Sequence, residues 1–226
     1  IVPCSDATGV VTEIGENVTD FSIGDRVSSL FFPNWRHGIP LPQQLFMTAV
    51  GGPLPGYLQQ YSTVPSNFLI KIPNNVSDDT AVTLPCAGVT AWHSLMDFGR
   101  IHSKSTVLLQ GTGGVSMIAL KIAKAIGATV IMTTSSSEKE IICKSHGADH
   151  VINYQSNPKW SEEVMDITNG AGVDLVLEVG GQQTLSEAIN SLAFNGKLAM
   201  IDVLTGLDPA ISIFPILGKM IQIKGI

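Results

Sequence analysis

Between Lys104 and Glu140 the chain reads as a strand, a glycine turn, a helix and a second strand, the order of a βαβ unit. Thr106 to Gln110 is a short apolar run with β-branched members, bounded by polar residues and glycine, the pattern of a strand buried on both faces. Past the glycines, Val115, Ile118, Ala119, Ile122 and Ile126 recur at helical spacing, with Lys121 and Lys124 on another face. Gly127 stands where a helix C-terminal cap belongs, and Ala128 to Thr133 forms the second strand.

The turn carries the chemistry. Gly111 permits a tight bend, Gly113 lets the backbone approach a pyrophosphate with no Cβ in the way, and the N–H groups that open the helix point at the anion. The pattern predicts dinucleotide binding by Gly111, Thr112, Gly113, Gly114 and Val115; a merely structural glycine turn is the alternative. Ser116 departs from G-x-G-x-x-G by adding a hydroxymethyl where close helix packing asks for glycine, so the helix is expected to sit slightly further out.

The second strand decides which nucleotide. An NAD site has an acid there to accept from the ribose 2′-hydroxyl, but Ile131 to Ser137 holds no carboxylate. Ser135, Ser136 and Lys139 suit a 2′-phosphate instead, and NADP(H) is expected over NAD(H). The same residues also read as a helix start, with Ser137 as N-cap and Glu140 completing a capping box.

With 226 residues, 44% apolar and 14% charged, the chain is long enough for two domains. A net charge of −6 without a basic cluster argues against nucleic acid and anionic membrane as partners. No apolar run approaches the ~18 residues of a membrane span, and no signal peptide is visible. Cys4, Cys86 and Cys143 lie far apart, which fits a reducing cytosol rather than a disulfide framework. The chain starts at Ile1 rather than methionine and reads as a piece of a longer protein.

Taken in order, residues 1–88 read as short strands at Gly9 to Ile14, Asp25 to Phe32, Tyr57 to Val64 and Phe68 to Ile72, a small barrel or sandwich. A proline- and glycine-rich segment from Pro33 to Gly56 carries Trp35, Arg36, His37 and Phe46 and is read either as a ligand cover or as a surface excursion. Ser77 caps one helix, and Val89 to Phe98 is a second. Residues 89–226 then alternate: helix Glu138 to His146, strand His150 to Tyr154, helix Trp160 to Thr168, strand Val173 to Val179, helix Thr184 to Ala193, strand Lys197 to Ile201 and strand Met220 to Ile226. The alternation predicts an α/β fold, a doubly wound parallel sheet of Rossmann type. Ligands on such sheets lie beyond the carboxyl ends of the strands, which places Val179, Gly180, Asp202 and Val203 near the nicotinamide end of a dinucleotide.

Six stretches together resemble one family: Ala7 to Gly15, Phe21 to Val27, Leu84 to Ala91, Gly111 to Val115, His146 to Asp149, and Val151 to Tyr154. They are similar to the medium-chain dehydrogenase/reductase superfamily in its quinone oxidoreductase-like branch, also described as zinc-type alcohol dehydrogenase-like. The resemblance runs from about Val2 to the last residue. It implies an N-terminal GroES-like β-barrel, a Rossmann domain, hydride transfer with a nicotinamide cofactor in the cleft between them, and family segments lying before Ile1 and after Ile226. It further implies that Lys139 and Tyr154 grip the 2′-phosphate and that Thr90 lies near the nicotinamide.

Where zinc alcohol dehydrogenases of that family carry Gly-His-Glu, this chain has Cys4-Ser5-Asp6, so a ligand histidine becomes serine. Cys86 falls on another ligand position, and the four-cysteine structural lobe is missing. One cysteine and one carboxylate fall short of the three protein ligands a catalytic zinc needs, and no metal is expected. Asp202, where relatives have glycine, either disturbs the cofactor or moves a proton. His37, His93, His102, His146 and His150 match no ligand pattern, and no general acid is identified.

The reading is an NADPH-preferring, zinc-independent, cytoplasmic oxidoreductase acting on a quinone, enone or carbonyl compound, with a small-molecule substrate and a possible homodimer. A zinc-dependent alcohol dehydrogenase and a nucleotide-binding protein without turnover are the alternatives.

Overall fold

The structure, a computed structural model, describes residues 2–35, 37–43 and 47–226. The chain divides into two compact units, Ile1–Val89 and Thr90–Ile226.

In the first unit β1 (Thr8–Val10), β2 (Arg26–Ser29) and β3 (Leu69–Lys71) form an antiparallel sheet in that order, with Gly9 opposite Val27 and Ser28 opposite Ile70. Strand β2 is the buried one: Val27, Ser28 and Ser29 are inside, and Ser29 Oγ accepts from the Ala7 amide at 2.9 Å. Helix α1 (Asp78–Ala81) starts at Ser77, whose hydroxyl accepts from the Thr80 amide at 3.2 Å, and is tied to β2 by the Arg26–Asp78 ion pair at 2.7 Å.

The expected strand from Tyr57 to Val64 does not form. The amides of Gly56, Tyr57 and Leu58 donate to Val2, Cys4 and Pro3, but the Gln59 amide turns back onto the Tyr57 carbonyl at 2.7 Å and breaks the extension. The segment from Pro33 to Gly56 carries turns, helical backbone at Pro42 and Gln43, and one Val50–Leu54 bridge among the described residues; Arg36 and Phe46 lie outside them.

Across the unit boundary the backbone is helical from Leu84 to Gly99, with wide π-type turns at Leu84–Gly88 and His93–Gly99 on either side of α2 (Val89–Trp92). Arg100, left-handed at φ 55°, ends it.

The second unit alternates β4 (Thr106–Gln110), α3 (Gly114–Ile126), β5 (Thr129–Thr134), α4 (Ser137–Ser145), β6 (His150–Asn153), α5 (Trp160–Ile167), β7 (Val173–Glu178), α6 (Leu185–Ser191), β8 (Leu192–Met200), α7 (Phe214–Gly218) and β9 (Gln222–Gly225). Every pairing is parallel and the order is β6-β5-β4-β7-β8-β9, the expected doubly wound sheet. Alternate residues feed opposite cores: Val107, Leu109, Val130, Met132, Leu175 and Leu177 on one face, and Leu108, Ile131, Ile152, Val176 and Leu198 on the other. That two-sided burial is why these strands read as unbroken apolar runs.

Strand β8 starts earlier than expected. Leu192 pairs with Val173, the chain bulges through Asn195 at φ 60°, and regular pairing resumes at Lys197 opposite Leu175. The bulge follows Gly172, whose position has no room for a side chain: a Cβ there would lie 2.7 Å from the Ala193 nitrogen.

Asp149 fastens α3 to β5. It takes Lys124 Nζ at 2.7 and 2.9 Å and the Val130 amide at 2.7 Å. Burial pushes its carboxyl upward, but the bonds from Lys124 and Val130 outweigh that and hold it below the usual aspartate range. A depressed carboxyl contributes stability above its unfolded value and loses it as pH falls through the folded value. Asp149→Asn is therefore expected to cost about 1 kcal/mol at neutral pH, with the deficit shrinking as pH drops below the ordinary value of 3.8. Urea denaturation of both proteins across that range checks it.

Candidate functional site at the carboxyl edge of the parallel sheet

Strands β4 to β8 end at Gln110, Thr134, Asn153, Glu178 and Met200 along one edge, and the path reverses between β4 and β7, where a doubly wound sheet opens a crevice. Gly111 makes the bend out of β4 at φ 71° and donates its amide to Thr133 O at 2.8 Å. Gly113 differs: φ −73° and ψ 169° suit any residue, and a Cβ built on it meets nothing within 4 Å. The chain's own packing therefore gives no reason for glycine at 113, and the space above it is free for another molecule. Gly113 caps α3 with no side-chain hydrogen bond, and the Met117 amide is the one that closes onto Gly113 O at 3.0 Å. The preceding helical amides of Gly114, Val115 and Ser116 are left as the positive end of a 13-residue helix.

Ser116 takes up the departure from the glycine pattern. It is buried, and its hydroxyl donates to Gln110 O at 2.7 Å, so the added atom becomes a tie between helix and strand.

Beside the turn lies a pair that the sequence reading passed over. Gln110 Nε2 donates to Glu178 Oε2 at 2.6 Å; both residues are buried, Glu178 completely. Glu178 Oε1 also accepts from the Gly180 and Gly181 amides, each at 2.8 Å, and from the Thr184 hydroxyl, while Gln110 Oε1 accepts from the Val179 and Gly180 amides at 3.2 and 3.3 Å. The available signal was a carboxylate at the end of the apolar run Leu175 to Leu177, on a strand exposed only at Asp174.

At the other end of the edge, Ser136 rather than Ser137 is the N-cap of α4: Ser136 is extended, at φ −155° and ψ 160°, and its hydroxyl accepts from the Lys139 amide at 3.4 Å. With the cap one residue earlier, the third helical position is Lys139, and the expected capping box with Glu140 does not form. Glu140 pairs instead with Lys144 at 2.6 Å. Lys139 Nζ donates to Ser135 Oγ at 3.3 Å, and no carboxylate pairs with it among the described residues. Tyr154 lies alongside, its amide donating to Thr134 O at 3.0 Å and its ring packed on the core. Glu138 is a neighbour the linear reading did not weigh: the Ser136 hydroxyl bonds its carboxylate and, with Glu138's own amide, holds it below the usual range.

The loops after β7 and β8 are stitched together. Thr205 donates its amide and hydroxyl to Gly180 O at 2.7 and 2.8 Å, and the Leu204 amide donates to Val179 O at 3.2 Å. Gly180 is glycine because Thr184 packs against it. Val179 is half-buried and Val203 exposed. Asp202 is exposed and accepts from the Val203 amide at 2.8 Å. Thr90 is half-buried on α2, its carbonyl taking the Ser94 hydroxyl at 2.7 Å.

In the first unit, burial and the charge of Asp6 push the Cys86 thiol up, against the thiolate a zinc ligand requires. Ser5 spends its hydroxyl on Asp6 Oδ2 at 2.7 Å. Asp6 Oδ1 and the Tyr57 hydroxyl are buried without partners among the described residues. No three His, Cys, Asp or Glu residues gather into a metal-sized cluster among the described residues. None of the described helices is long and apolar enough to cross a membrane.

Comparison with known proteins places this geometry. The family model for zinc-binding dehydrogenases matches residues 114–226, and that for the alcohol dehydrogenase GroES-like domain matches residues 1–74. The chain is 40% identical over 228 residues to a zinc-type alcohol dehydrogenase-like protein of Schizosaccharomyces pombe, covering 98% of this chain and 64% of that protein. It is 31% identical to the acryloyl-coenzyme A reductase of Sulfurisphaera tokodaii, over 91% of this chain and 60% of that one. A crystal structure from Sinorhizobium meliloti 1021, described as an alcohol dehydrogenase, superposes with a TM-score of 0.94 at 39% identity, covering all of this chain and 66% of its own. The chain thus spans just under two thirds of these relatives.

Ser116→Ala removes the donor to the buried Gln110 carbonyl and is expected to cost about 1–2 kcal/mol. Thermal or urea denaturation reads it directly; a wild-type midpoint would show the tie contributes nothing.

Proposed function

The chain belongs to the medium-chain dehydrogenase/reductase superfamily, and from that premise we propose that it binds NADP(H) along the carboxyl edge of its parallel sheet and, without zinc, transfers hydride between that cofactor and a quinone, enone or carbonyl compound. The observation that carries the reading is the open space over Gly113 at the uncapped start of α3. Thr112, Gly113, Gly114 and Val115 hold the diphosphate on main-chain amides, and Gly111, whose own amide is spent on Thr133 O, makes the bend that presents them. Ser135, Ser136, Lys139 and Tyr154 take the 2′-phosphate and adenosine, with Lys139 a cation that has no carboxylate partner among the described residues. Val179 and Val203 offer apolar surface at the nicotinamide end, Gly180 shapes their loop, and Thr90 lies toward the same end.

When bound, such a cofactor supplies a hydride from C4 of its dihydronicotinamide. The protein's part is to fix that ring and exclude water. A conjugated acceptor spreads the charge it gains and takes its proton from solvent, so neither a metal nor a protein acid is called for; the acryloyl-coenzyme A reductase relative favours this substrate class. The protonated Cys86 thiol and Ser5 support the zinc-free form. The same reading puts the protein in the cytosol, as a homodimer. Metal analysis showing stoichiometric zinc overturns the zinc-free form, and NADPH binding with no turnover across quinones and enones overturns the catalytic one.

Lys139→Ala is expected to weaken NADPH by ~1.5–3 kcal/mol, the range for a hydrogen bond to a charged group, and to leave NADH nearly unchanged; Glu138→Gln is expected to tighten NADPH by removing a like charge. Fluorescence titration with both cofactors checks this, and equal losses in the lysine variant remove Lys139 from the phosphate site. Gly113→Val should still fold, since a Cβ at this position meets nothing within 4 Å, with a modest loss of stability from placing valine at a helix N-cap, yet bind neither cofactor. Retained binding would mean that the space over Gly113 is not where the diphosphate lies.

A further inference from the structure

Burying Glu178 costs free energy that a neutral side chain would not. Its carboxylate has four donors around it and no cation among the described residues. Holding one loop does not require a charge. What this charge and Gln110 achieve together is wider, because Gln110 directly precedes the glycine turn and Glu178 directly precedes the β7 loop.

Every amide of that loop is consumed inside the protein. Val179 and Gly180 donate to Gln110 Oε1, and Gly180 and Gly181 to Glu178 Oε1. Its carbonyls are used as well: Val179 O by Leu204, Gly180 O by Thr205, and Gly181 O by Thr184 and Leu185. The two sides of the switch point therefore differ in kind. Past Gly111, whose amide is spent on Thr133 O, Thr112 to Val115 present amides without a partner among the described residues, while the loop at Val179 to Gly181 has none to give and presents the half-buried Val179 side chain.

We propose that Gln110 and Glu178 act as a positioning latch that fixes Val179 as a wall for the nicotinamide end of the cofactor, at a set distance from the amides that hold the diphosphate. The proposal rests on the dinucleotide reading above. It makes Gln110 and Glu178 positioning residues, since their side chains reach a ligand only through the loop they pin.

Exchanging the two side chains separates geometry from mere stability. In Gln110→Glu with Glu178→Gln, position 178 keeps one oxygen for Gly180, Gly181 and Thr184 and donates to position 110, which still accepts from Val179 and Gly180. In Glu178→Gln alone, two amide NH2 groups face each other and the pairing is lost. The experiment titrates the full chain and both variants with NADPH and with 2′,5′-ADP, which carries the adenosine phosphates but no nicotinamide, and follows hydride transfer to an enone.

Glu178→Gln is expected to weaken NADPH on the order of tenfold or more, the factor for one bond to a charged group, and to slow hydride transfer, with 2′,5′-ADP affinity unchanged. The exchanged pair is expected to recover most of the NADPH affinity. Equal weakening of both ligands reduces the latch to a fold-stabilising contact and overturns the proposal, as does an unchanged NADPH affinity in the single variant. If the unsubstituted protein binds neither ligand, the dinucleotide reading itself falls and the latch with it, a result distinguishable from the other two.

Discussion

In a parallel sheet all strands end at one edge, and the helices that return the chain begin there. Each such junction leaves helix amides without intrahelical acceptors, and their dipoles add. In the second unit this puts the positive end of α3 beside the point where strand order reverses. The protein does not spend a side chain on capping it. What it does spend are side chains around the cap: Ser116 holds the helix to β4, and Gln110 holds β4 to the β7 loop.

Charge along this edge is unevenly placed. Near β7 a carboxylate is sealed inside and matched to donors, so it orders backbone without meeting solvent. Near β5 an ammonium stands outside with a serine hydroxyl as its partner among the described residues, and a neighbouring carboxylate, Glu138, is engaged by Ser136. The first arrangement suits positioning, because buried bonds are strong and directional. The second suits exchange of an anionic ligand, because neither group must break a buried contact to let it in or out.

The first unit works by different means. Its strands are short, its one buried strand packs with two serines inside, and much of its chain runs as turns among the described residues. The likeness to the GroES-like domain covers residues 1–74. Burial and then the charge of Asp6 raise its Cys86 thiol.

Local pattern alone was enough for the second unit's architecture. Apolar runs buried on two faces, helical spacing after Gly114 and glycine stops at Gly127 and Gly147 are properties of neighbouring residues, readable without knowing what lies across the sheet. The expectation failed where the deciding partner was distant. Tyr57 to Val64 had strand-like composition, but a strand exists only if another backbone pairs along it. The cap of α4 went to Ser136 over Ser137 because backbone direction at the end of β5, not residue type, selects among adjacent serines. Gln110 and Glu178 are 68 positions apart, and nothing local to either says that they meet. Sequence determined which segments become strand and helix, because periodicity and glycine act over a few residues; tertiary structure decided which polar groups are consumed inside and which are left for a ligand, because that depends on contacts formed only when β4 and β7 lie side by side.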